Sequence, residues 1–148
     1  MVSETVHTET VAKVVEEIEP TTAVFIEPAE KFAGGSGTKE DPYQISNAQE
    51  LALLSELCTR EKYNELDVDE ALGYIKGYYV LTAEIQLNDT SDIANWGTKE
   101  PKWQWQPIGE TYRFEGNFDG KGHTIKGMYI YSTLLVDGNN TSDPGNAP

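Results

Sequence analysis

The chain has 148 residues, 25 acidic against 11 basic side chains, a formal net charge of -14 and 38% hydrophobic residues. That length suits one domain with a real core, and the charge excludes nucleic acid and anionic lipid surfaces as partners, because their phosphates would be repelled. The single cysteine, Cys58, excludes an internal disulfide, and no run approaches the roughly 18 consecutive apolar residues of a membrane span, so no membrane insertion is expected.

Residues 1–31 read as a flexible acidic arm. They are rich in Thr, Glu and Val, and Pro20 and Pro28 interrupt them. Val11, Val14, Val15 and Ile18 recur at helical spacing, but the composition favours a linker or stalk. The opening MVSETVHTET has no basic region followed by an apolar run, so it is not a signal peptide.

The folded part is expected to begin near Phe32 and to run to residue 136. Its first stretch, FAGGSGTKEDPY, brings three glycines close to Ser36, Thr38 and Lys39. A phosphate-binding loop needs a glycine followed by Lys and then Ser or Thr, between a strand and a helix. Here Gly37 is followed by Thr38 and then Lys39, the wrong order, and the next helix starts about ten residues too late. A structural turn is expected instead, with Asp41-Pro42 leading into a helix.

That helix is the clearest element. Asn47 is placed to cap it and Glu50 to complete a capping box, while Leu51, Leu54, Leu57 and Cys58 form an apolar stripe. Cys58 therefore reads as a small core hydrophobe and not as a reactive thiol. The next stretch, EKYNELDVDEALGYIKG, reads as a loose acidic connection. Its carboxylates Glu65, Asp67, Asp69 and Glu70 fail calcium-loop spacing and are expected to be solvated.

From Tyr78 the period becomes two. Tyr79, Leu81, Ala83, Ile85 and Leu87 fall on one face of a strand region. A long insertion follows, Asn88 to Lys102, and then the short apolar WQPIG. RFEGNFDG alternates again, and HTIKGMYIYSTLLV is a last strand region rich in β-branched and aromatic residues. Residues 137–148 are expected to be a disordered tail of turn formers. Asp137, Asn139, Thr141 and Asp143 alternate there in a calcium-like pattern, without the glycine and distal Glu that a calcium loop needs. Asp137, Asn139 and Asp143 are weak calcium candidates, and no other metal or cofactor is expected.

Two further constellations bear on chemistry. His123 is the one histidine outside the arm, and a structural hydrogen-bonding role is expected of it in preference to a catalytic triad. Trp96 and Trp103 lie in the stretch between Leu87 and Trp105, where aromatic faces on a loop can stack on sugar rings, whereas Trp105 reads as core. Trp96 and Trp103 are the glycan-contact candidates.

Three segments together resemble a known pattern. FAGGSGTKEDPYQISNAQEL, then YYVLTAEIQL, then WQPIG with FEGNFDGKGHTIKGMYI resemble the N-terminal part of GLUG-repeat-associated bacterial surface and secreted proteins. The resemblance covers roughly residues 32–130 and is most specific over Phe114 to Ile125. It implies a mainly β fold: the capped N-terminal piece of a right-handed parallel β-helix, with the Asn47–Thr59 helix as cap and Gly116, Gly120, Gly122 and Gly127 as coil corners. A small α+β domain with antiparallel hairpins is the alternative. The function implied is a non-catalytic extracellular or cell-surface module for adhesion or presentation, with a carbohydrate or a host or cell-surface protein as partner. Self-association at an open β-helix end is also implied. Two alternatives stand beside it: the N-terminal part of a carbohydrate-active or IgA-peptidase-type enzyme, and a structural spacer.

Overall fold

A computed structural model describes residues 21–131, and the arm through residue 20, the tail and the calcium candidates Asp137, Asn139 and Asp143 lie outside the described residues. Thr22 to Ile130 form one unit. It opens with β1 (Val24–Phe25) and β2 (Tyr43–Ile45), followed by three helices, α1 (Ala48–Leu57), α2 (Arg60–Glu65) and α3 (Val68–Ile75). Then come β3 (Tyr78–Leu81), β4 (Ile85–Gln86), a short 3-10 turn (Ile93–Asn95), β5 (Trp103–Gln104), β6 (Asn117–Asp119) and β7 (Ile125–Lys126).

The expected parallel β-helix is not what the chain forms. The fold is small α+β: three helices beside separate sheet pieces in the orders β1-β5, β2-β3-β6 and β4-β7. No sheet among the described residues closes or continues as a solenoid. The reason is local. Strands of two to four residues are broken between Leu81 and Ile85 and again by the 88–102 excursion, so no coil repeats. The antiparallel-hairpin alternative has the class but not the pairing. β3 pairs in parallel with both β2 and β6, and β4 pairs in parallel with β7, so the Asp119-Gly120 turn joins strands of different sheets.

The helix from Asn47 forms as its caps dictate. The Asn47 side chain accepts the Glu50 N–H at 2.8 Å, and the Glu50 carboxylate reaches back to the N–H and hydroxyl of Ser46 at 2.7 and 2.8 Å. The capping box thus closes one residue earlier than its usual form. Leu51, Leu54, Leu57 and Cys58 are buried as the stripe predicts, but so are Ala52, Leu53 and Ser55. The helix is enclosed on most sides and is not a lid on one end. Ser55 meets its burial by donating its hydroxyl to the Gln106 carbonyl at 2.6 Å.

The acidic connection is helical as well. Thr59 caps α2 by accepting the Lys62 N–H, and Asp67 caps α3 by accepting the Asp69 N–H. Asp67 and its neighbouring acids therefore sit at helix starts, where the backbone dipole favours negative charge. Ala71 and Ile75, four residues apart, turn the buried side of α3 inward. The period-two reading of the strands holds: Tyr79, Leu81, Ile85 and Leu87 are all buried. Tyr79 is 1% exposed, and its hydroxyl donates to the Tyr74 carbonyl at 2.6 Å. Burial pushes its pKa far above the usual tyrosine range.

The glycine loop is a turn closed on itself. The Ser36 and Gly37 N–H groups both donate to the Asp41 carbonyl at 2.9 Å, so these amides are already satisfied. Gly35 and Gly37 hold φ of +90° and +86°, and a Cβ on Gly35 would lie 1.8 Å from the Pro42 oxygen. The packed chain also begins earlier than Phe32. Ala23 and Ile26 are buried, and β1 pairs with β5, so residues 22–31 belong to the folded unit and not to the arm.

Candidate ligand-binding groove

The 88–102 excursion is held at its base by Asn88. This side chain is only 5% exposed. Its Oδ1 accepts the Trp103 N–H at 2.9 Å, and its Nδ2 donates to the Trp103 carbonyl at 2.7 Å and to the Gly127 carbonyl at 2.9 Å. One amide thus imitates a strand neighbour for Trp103, and it ties β5 to the segment after β7. Gly127 permits the approach: at φ +81°, a Cβ there would fall 2.5 Å from the Asn88 oxygen.

Beyond Asn88 the excursion is built from short-range polar contacts. Asp89 accepts the Ser91 N–H at 2.9 Å, a turn that also holds the Asp89 carboxyl below its usual pKa through that backbone bond. Asp92 accepts the Asn95 side-chain amide at 2.6 Å across the 3-10 turn, and the Lys99 N–H donates to the Asn95 carbonyl at 2.7 Å. Glu100 is held from the segment just before β1, accepting the Thr22 hydroxyl at 2.8 Å. Val24 donates its N–H to the Lys102 carbonyl at 3.0 Å, fixing the outgoing end.

These contacts bring the two candidate tryptophans together. Trp96 and Trp103 line one open groove of about 290 Å³, whose walls also carry Asp89, Asp92, Glu100 and Lys102. Both rings are half-buried. Trp96 stands edge-on to Tyr129 with ring centres 5.9 Å apart, so its orientation is set by a neighbour and not by solvent. The Lys102 ammonium sits 4.8 Å from the Trp103 ring centre, a cation–π contact. Trp105, by contrast, is core at 5% exposure.

The other chemical candidates are accounted for by structure. His123 Nδ1 lies 3.3 Å from the Glu84 carboxylate, whose other oxygen accepts the Thr124 N–H at 2.9 Å. The Thr124 bond first, and His123 second, hold the Glu84 carboxyl below its usual range. Cys58 is fully buried, and burial pushes its thiol up to about 11. Among the described residues no group of three or more His, Cys, Asp or Glu side chains is arranged to hold a metal ion.

The sequence pointed to the two tryptophans as candidates but not to Asn88, Lys102 or Tyr129, which contact them. Asn88 left no signal, because a polar residue after Leu87 fits the in–out alternation and only the structure shows it buried. Lys102 and Tyr129 left none, since each acts on a ring distant in sequence or on its immediate neighbour.

No protein-family model matches the chain. No solved structure matches it. A curated protein from Evansella cellulosilytica, named "Putative Gly-rich membrane protein", is 35% identical over 111 residues, which cover 73% of this chain and 10% of that protein. The chain thus corresponds to about a tenth of its curated relative's length. Among the described residues no helix is long and apolar enough to cross a membrane.

Proposed function

We propose that the chain is a non-catalytic recognition module of a secreted or surface-displayed bacterial protein, and that it contacts glycan through the Trp96/Trp103 groove. The observation that carries this reading is the convergence of Trp96 from the excursion and Trp103 from the start of β5 on one open, polar-walled groove. A sugar offers an apolar face of C–H groups and a rim of hydroxyls. Half-exposed aromatic rings fit the first, and fixed carboxylates and amides fit the second. The groove is open and modest in volume, which suits contact with one or two units of a longer polymer. Surface placement is supported by the relative's name and by the resemblance of Phe114 to Ile125 to segments of bacterial surface proteins. The match to a small part of a much longer relative supports a module within a longer protein.

The test is a glycan array probed with the wild-type chain, Trp96→Ala and Trp103→Ala. Binding to a defined glycan class that falls at least tenfold in each variant, with unchanged melting, is the expected result. Binding that survives both substitutions, or binding to no glycan, overturns the reading.

A further inference from the structure

We propose that the ligand of this groove carries an ammonium group, so that the preferred glycan is an amino sugar with its amine free; this rests on the glycan reading above. Three observations converge on it. An ammonium already occupies the Trp103 face, that of Lys102 at 4.8 Å, so the ring is presented in a geometry that accepts a cation. Asp89, Asp92 and Glu100 stand on the same groove walls, each held in place by a donor from Ser91, Asn95 or Thr22. The chain as a whole carries a net charge of -14, which draws cations toward its surface and repels uronic acids and other anionic sugars.

In this arrangement Lys102 is an internal occupant, not a partner. Its side chain is long and exposed, and it can swing into water and leave the Trp103 face and the carboxylates to an incoming amine. An anionic ligand would reverse its role, because Lys102 would then be the counter-charge that holds the ligand. The two cases predict opposite effects of removing it. Lys99, the other cation on the walls, stays in both.

The experiment is titration calorimetry of the full chain with short glucosamine oligomers, the matched N-acetylglucosamine oligomers and galacturonate oligomers, at low and at moderate salt, with wild type and Lys102→Met. Glucosamine oligomers are expected to bind at least fivefold tighter than the acetylated ones, and to lose affinity as salt rises. Lys102→Met is expected to bind them about two- to fivefold more tightly, the size of an exposed cation–π contact released from competition. Equal or tighter binding of the acetylated or the galacturonate oligomers overturns the charge preference while leaving the glycan reading in place. So does weaker glucosamine binding by Lys102→Met. Failure of all three sugars to bind overturns both.

Discussion

The α1–β3 region and the 88–102 excursion with its exit into β5 are built on different physics. Around α1 and β3, order comes from apolar burial: Leu54, Cys58, Ile75 and Tyr79 are at most 1% exposed and belong to one hydrophobic cluster. In the excursion few side chains are buried, and position is set by amides and carboxylates reaching backbone groups. The first region is stable through many weak contacts, none of them singly decisive. The second depends on a few directional bonds, and one residue carries much of its geometry. A rigid core beside a polar loop that presents aromatic rings is a common division of labour between scaffold and site.

The contrast can be broken first from the core side. Leu54→Ala should lower unfolding stability by about 2–5 kcal/mol, the range for truncating a fully buried leucine, measured by urea denaturation. The Trp groove should keep its near-ultraviolet signature until the chain unfolds as a whole. Asn88→Ala should cost less, about 1–3 kcal/mol, because it strands the polar groups of Trp103 and the Gly127 carbonyl. Its local effect should be larger than its global one: Trp103 fluorescence should change even where the chain remains folded. A core defect of equal size that also perturbed Trp103 would erase the distinction between the regions.

Asn47→Ala should lower stability by about 1 kcal/mol through loss of the α1 cap, with no effect at the groove. The smallest effect lies in acid. Glu84 has a lowered folded-state pKa, so its bonds to Thr124 and His123 stabilise the chain above the unfolded carboxyl value of 4.5. That contribution is lost as pH falls through the folded value. Glu84→Gln should therefore lower the melting temperature slightly in the neutral range and converge with the wild type below the folded value, which flattens the acid limb of the profile. Cys58 supplies a yes-or-no readout of the core: iodoacetamide at pH 8 should label it only in denaturant, since the thiol is enclosed and its pKa is about 11.

Legibility in the sequence follows the same divide. The α1 stripe and the alternation from Tyr79 to Leu87 could be read because burial imposes a period on apolar residues. The acidic connection reads as loose in the sequence because its helices are short and mostly exposed. Their signals are the caps Thr59 and Asp67 and the single pair Ala71 and Ile75. The β-helix expectation failed where short motifs were asked to fix long-range pairing. The strands are parallel as such a fold requires, but they are too short and too often interrupted to form repeating coils. In the groove, aromatic residues in a loop pointed to Trp96 and Trp103. The clamp between Asn88 and Trp103 left no pattern, because a side chain bonded to a backbone group constrains only one of the two residues' identities.

On the proposed reading, the excursion and the start of β5 present Trp96 and Trp103 to a ligand while Trp105 stays in the core. The most direct test is a two-dimensional NMR titration with glucosamine oligomers that follows the three indole N–H resonances of Trp96, Trp103 and Trp105. The Trp96 and Trp103 signals should move along one saturable curve while the buried Trp105 signal stays fixed. Movement of Trp105 alone, or of none of the three at saturating sugar, would contradict it.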